Sequence, residues 1–138
     1  MNIRPYQPRD EAAVIALWTE CGLTRPWNDP KKDIARKLTQ QPELFLVGED
    51  HAQIVATAMF GFDGHRGWVN FLGVLPSRRG LDYGRMIMQE GERLLLQRGC
   101  PKINLQVRST NKVAIAFYNK LGYGVDDVVS MGKRLIPD

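Results

Sequence analysis

The chain of 138 residues is poor in the groups that build metal and redox centres, with only two cysteines and two histidines. Cys21 and Cys100 form no CxxC or Cys/His pattern, which excludes a zinc site or a disulfide framework and leaves two buried or half-buried thiols. No apolar run approaches the length of a membrane span, and the polar, proline-containing N-terminus does not read as a signal peptide. These absences imply a cytoplasmic protein that uses no metal and contacts no membrane. The formal charge of +4 is too small, and the basic residues too dispersed, to indicate nucleic-acid binding. Repeats, linkers and low-complexity segments are also missing. With 43% hydrophobic and 25% charged residues, the composition is that of one globular domain spanning 1–138.

What is present is a long organised stretch from Trp68 to Arg98. Trp68 to Val74 is short, apolar and β-rich, between Gly67 and Pro76, and reads as a buried strand. From Tyr83 onward Met86, Ile87, Leu94 and Leu95 fall at helical spacing. The turn between them aims backbone N–H groups along a helix start beside Arg78 and Arg79. Such a turn suits a phosphate, because unpaired amides and the macrodipole both favour an anion. Taken alone, it also reads as an ordinary surface turn with basic decoration.

The rest of the chain supplies strands at Ile3–Tyr6, Leu44–Glu49, Ile54–Phe62 and Lys102–Val107. Tyr123–Val129 and Met131–Ile136 read as a final pair. Helices are expected after Asp10 (Val14, Leu17, Trp18 and Cys21 on one face), after Asp29-Pro30, over the long central stretch, and over Asn111–Leu121. The result is an α/β (α+β) domain. Within Asn111-Lys-Val-Ala-Ile-Ala-Phe-Tyr-Asn-Lys-Leu-Gly-Tyr123, Tyr118 lies on the inner helix face. Its hydroxyl is either satisfied locally or presented to a ligand.

Together the strand–RRGxxxG–helix and the NxxAxxFYxxLGY segment resemble the GNAT superfamily of acyl-CoA N-acyltransferases. The order of elements matches along nearly the whole chain. TRPWNDP, DGHRG and RGCPKI are most similar to the YpeA-type acetyltransferases within it. The resemblance implies a central mixed, mostly antiparallel sheet of six to seven strands, splayed between strands 4 and 5 and flanked by four helices. It implies acetyl-CoA as co-substrate and a small-molecule or protein amine as acceptor, in a monomer or homodimer. The alternative is a non-catalytic acyl-CoA-binding or regulatory module.

By the same resemblance, Leu72, Gly73 and Val74 would receive the pantetheine arm opposite Asn104 to Gln106. Their amides could hold a developing oxyanion. Arg78, Arg79, Gly80, Leu81, Asp82, Tyr83, Gly84 and Arg85 would surround the pyrophosphate, with Lys112 as a further cation. Asn111 would reach the pantetheine, and Tyr118 would hydrogen-bond the sulfur and protonate the departing thiolate. Gln106 stands where one branch of the family has a basic glutamate. That leaves Asp63 and His65 as the chemically able groups, unless they are a turn former and a solvated loop residue and water carries the proton. Trp27 and Asn28 would wall the acceptor, although Trp27 can equally plug the core. Asp82 replaces the motif's middle glycine, which would place a carboxylate against phosphate and weaken binding.

Overall fold

A computed structural model describes residues 1–138. It falls into two compact units, Met1–Leu105 and Gln106–Asp138, taken in turn.

The first unit is a sheet with helices on both faces. Its strands are β1 (Asn2–Pro5), β2 (Phe45–Asp50), β3 (Gln53–Phe62), β4 (Gly67–Val74) and β5 (Ile103–Asn104), and they lie side by side in chain order. β1 to β4 are antiparallel, and β5 runs parallel to β4. Helices α1 (Glu11–Glu20) and α2 (Pro30–Lys37) precede β2, and α3 (Tyr83–Gln97) links β4 to β5.

Alternation along β3 sorts the two faces. Thr57, Met59 and Gly61 look toward α1 and α2, where Val14, Leu17, Trp18, Ile34, Phe45, Val47 and Val55 form the core. Phe60 looks the other way and seats against Gly91 of α3, where an added Cβ would lie 2.0 Å from the ring. A glycine is therefore required in mid-helix by close approach, despite its poor helix propensity.

Helix starts follow local chemistry. Asp29 accepts a hydrogen bond from the Lys31 amide at 2.9 Å, with Pro30 at the first helical position. Asp10 departs from expectation, because its carboxylate does not cap α1. It is buried, accepts from the Gln7 amide at 2.8 Å, and pairs with Arg4 at 2.8 Å.

The second unit contains α4 (Lys112–Lys120), capped by Asn111, whose Oδ1 accepts from the Ala114 amide at 3.1 Å. Here the expected sheet of six to seven strands is corrected to five. Tyr123–Val129 and Met131–Ile136 carry strand-like patterns yet form no ladder. Val125, Val129 and Met131 are 85–90% exposed. Strand propensity acts through cross-strand packing, and without a paired partner the pattern alone does not hold a strand. β5 is likewise shorter than the expected Lys102–Val107, because its ladder with β4 ends after two residue pairs.

Candidate active site

The site grows out of an irregularity in β4. Its register against β3 pairs Asn70 with Met59 and Gly73 with Thr57, so Phe71 and Leu72 together oppose Ala58. This is a bulge, with Phe71 in the left-handed region at φ +53°. That conformation costs a residue with a Cβ roughly 1–2 kcal/mol.

Two buried side chains hold it. Thr57 donates its hydroxyl to the Phe71 carbonyl at 3.0 Å and accepts from Trp18 Nε1 at 3.0 Å. The Trp18 ring stacks on Phe71 with centroids 4.0 Å apart. Because of the extra residue, Asn70 and Phe71 both present their side chains to the α1/α2 face. From the sequence Trp18 is placed only on the inner face of α1, and Thr57 is not singled out. The available signal was a lone hydroxyl in the apolar run Ile54–Phe60.

On its other edge β4 is paired with β5 only at Gly67–Ile103 and Trp68–Asn104. Beyond Trp68 the ladder stops. Leu75 donates its amide to Val55 at 2.9 Å, so by antiparallel alternation the Val74 peptide groups face away from β3, into the opened edge. The Val74 carbonyl there accepts from Cys21 Sγ and Arg79 Nε, each at 3.3 Å. Burial pushes the Cys21 thiol up despite the nearby Arg79 guanidinium.

At the end of β4 the chain turns through Arg78–Asp82 into α3. Gly80 (φ +83°) and Asp82 (φ +71°) supply two left-handed residues, which turn peptide N–H groups toward one side. No side chain caps α3, whereas Asp29 and Asn111 cap α2 and α4. The first-turn amides of α3 thus keep their capacity for an anion. Asp82 does not compete for them. Its carboxylate pairs with Arg85, whose guanidinium holds it below the usual carboxylate range.

The β2–β3 hairpin braces this turn. Tyr83 donates to Asp50 at 2.7 Å, and Arg78 Nη2 to Gln53 at 3.3 Å. Arg78 Nε is buried with no hydrogen-bond partner, a donor that fits an anionic ligand such as a pyrophosphate. Leu72 to Val74 and Arg78 to Arg85 are therefore contiguous around one end of β4.

Asp63 and His65 lie beyond its opposite end, with Gly67 alone about 13 Å from Phe71 at roughly 3.3 Å per strand residue. Asp63 Oδ1 accepts from the Arg66 amide at 2.7 Å and the His65 amide at 2.8 Å, and these bonds lower its pKa. The turn-forming role accounts for this carboxylate. His65 is exposed. Trp27 is 53% exposed, which rules out the core plug. Asn28 shares a shallow cleft with Phe71 of the bulge.

In the second unit, Tyr118 is half-buried between Phe117 and Tyr123, with ring centroids 5.1 and 5.9 Å away. Burial pushes its phenol up to about 12, so it is neutral at physiological pH. Gln106 donates its amide to the Ser130 hydroxyl, and the Asn111 carbonyl oxygen is taken by the helix cap.

The sequence of residues 12–123 matches the model of the acetyltransferase (GNAT) family. The chain belongs to that family. Over 138 residues it is 49% identical to an acetyltransferase of Yersinia pestis (strain Pestoides F), covering 100% of this chain and 98% of the relative. The fold is that of the PaiA N-acetyltransferase from Thermoplasma acidophilum in complex with coenzyme A. The TM-score is 0.82 at 18% identity, covering 93% of this chain and 92% of that one. It is also that of the ribosomal-protein-S18-alanine N-acetyltransferase from Escherichia coli, with TM-score 0.73 at 23% identity over 88% and 76% of the two chains. This GNAT protein is accordingly an acyltransferase enzyme. No group of three or more His, Cys, Asp or Glu is placed to hold a metal ion, and no helix is long and apolar enough to cross a membrane.

Proposed function

We propose that the protein transfers an acetyl group from acetyl-CoA directly to a primary amine. The observation that carries this reading is the β4 edge opened beyond Trp68, which leads straight into the uncapped start of α3. A slot of backbone donors ending in a turn of amides and arginines suits an extended chain that terminates in a diphosphate. When bound, acetyl-CoA supplies the activated thioester.

The protein's own part is positioning and electrostatics. The turn amides from Arg79 through Arg85 and the buried Arg78 Nε hold the pyrophosphate. The Leu72–Val74 edge orients the pantetheine arm, with Asn111 as a further contact. An amide at the bulge, fixed by Thr57 and Trp18, donates to the thioester oxygen where negative charge develops. Such donors are worth most when they do not need to reorganise.

Tyr118 donates a hydrogen bond to the departing sulfur. With its pKa near 12, its proton is held more tightly than that of a typical thiol, so a hydrogen bond is favoured over full proton transfer. The acceptor's ammonium proton leaves through water, since Asp63 and His65 lie beyond the opposite end of β4 from the bulge. Asp63, with its pKa lowered by two amide bonds, is held as a carboxylate by the turn. The pairing of Asp82 with Arg85 supports coenzyme binding, because it draws this carboxylate off the turn amides.

Transfer of labelled acetyl from acetyl-CoA to a panel of amines, read by mass spectrometry, tests the reaction. Calorimetry with acetyl-CoA tests the site. Tyr118→Phe is expected to lower kcat while leaving coenzyme affinity within about twofold. Absence of acetyl-CoA binding at millimolar concentration overturns the proposal.

A further inference from the structure

On the α1/α2 face, next to the bulge, lies a groove of about 310 Å³. Its walls include Lys37, Gln41, Gly61, Asp63, Trp68 and Asn70, and Asn70 immediately precedes the bulge residue Phe71. The recess exists because Gly61, paired across the ladder with Trp68, has no side chain. A Cβ there would sit 3.6 Å from Lys37 Nζ and 3.7 Å from Gln41 Oε1, so a side chain fits at ordinary contact distance but fills the floor. The volume lies at the lower end for small-ligand pockets and is modest for a folded peptide segment.

The groove's charges are arranged unequally. The Asp63 carboxylate is already served by two amides and by the Trp68 side chain. Lys37 donates to the Phe60 carbonyl at 2.5 Å and makes no ion pair. The acid that acts on it, Glu43, is bound to Arg98 at 2.8 Å. Burial lowers the Lys37 pKa, so the protein bears a cost to keep a cation here.

Capping an edge carbonyl does not require that cation. Gln41, in the loop after α2, serves the Phe62 peptide on the same edge with a neutral amide, accepting from its N–H at 2.9 Å and donating to its carbonyl at 3.1 Å. An ammonium with donors to spare, in a groove that Trp68 also lines, is suited to a ligand carboxylate.

We propose that this groove recognises the acceptor, and that the acceptor is a small amine that also carries a carboxylate, which Lys37 binds. The assignment rests on the acetyl-transfer reading above. The acceptor's body lies over Gly61 and against Trp68, and its amine reaches past Asn70 toward the bulge. Lys37 is a specificity residue, remote from the reacting atoms.

The test uses matched acceptors whose amine is remote from the carboxylate: lysine against cadaverine, ornithine against putrescine, and 6-aminohexanoate against pentylamine. Each is assayed by thiol release with wild type, Lys37→Gln, Lys37→Arg and Gly61→Val. Wild type is expected to favour at least one carboxylated member by about ten- to hundredfold in kcat/KM, the range of a charge-assisted hydrogen bond. Lys37→Gln should bring that ratio near one through KM with kcat within about threefold, and Lys37→Arg should restore part of it. Gly61→Val should raise KM for every acceptor and leave acetyl-CoA affinity unchanged. A carboxylate preference that survives Lys37→Gln, or a preference for the decarboxylated partners, overturns the assignment. If acetyl-CoA binds and no amine of the panel is acetylated, the assignment fails while the coenzyme reading stands. Failure of acetyl-CoA to bind removes both.

Discussion

Thr57→Val removes the hydroxyl that hydrogen-bonds the bulge to the core while leaving the Trp18–Phe71 stack. Valine has nearly the same shape, so no cavity opens and the hydroxyl alone is tested. Its loss strips a partner from two buried groups, Trp18 Nε1 and the Phe71 carbonyl, at about 1–3 kcal/mol each. Part is recovered by burying a methyl, so a net loss of about 2–4 kcal/mol is expected. Most small domains survive a change of that size. A separate functional effect is expected in the variant that remains folded, since Phe71 holds a left-handed conformation that costs roughly 1–2 kcal/mol and relaxes once its carbonyl is released. A bulge amide displaced from the thioester oxygen should lower kcat about ten- to hundredfold, or roughly 1.4–2.7 kcal/mol in barrier. Urea unfolding gives the stability term and thiol release gives kcat, at a temperature where the variant is folded. Thr57→Ser keeps the hydroxyl and should cost about 1 kcal/mol with kcat within twofold. Wild-type kcat in Thr57→Val, or equal damage from serine and valine, refutes the reasoning.

Asp82→Gly should remove a left-handed non-glycine residue and release Arg85 toward the turn, tightening acetyl-CoA binding several-fold by calorimetry. Unchanged affinity contradicts the role given to this residue. Gly91→Ala should destabilise the fold by about 1–3 kcal/mol in urea, because its methyl would meet the Phe60 ring and overpack the core. Asp10 is held below the usual carboxylate range chiefly by Arg4, so its contribution is complete above the unfolded carboxylate pKa and is lost as pH falls through the lowered folded value. Asp10→Asn should therefore lower stability at neutral pH and flatten its decline below about pH 4, followed by circular dichroism across an acid titration. For Tyr118 the sign is opposite. Its folded pKa is raised to about 12, so stability tied to the neutral phenol is complete below about pH 10 and falls as pH rises through 12. Tyr118→Phe should remove the highest step of a tyrosinate absorbance titration.

Periodicity, turn chemistry and spacing were enough to read four helices, three consecutive antiparallel strands and the glycine-arginine turn. These depend on interactions between near neighbours in the chain: Asp29 with Lys31, Asn111 with Ala114, left-handed Gly80 before α3. The family followed from two motifs of this kind. Only the folded chain decided the rest, because each remaining feature needs partners remote in sequence. Whether Tyr123–Ile136 forms strands depends on a ladder, and the pattern contains none. The bulge at Phe71 depends on Thr57 and Trp18, the fate of Asp82 on Arg85 turning back to it, and the groove on Gly61 lying opposite Trp68. Local preference sets which elements can form. Side chains brought together by the sheet set where an edge opens, and an open edge is what a coenzyme needs.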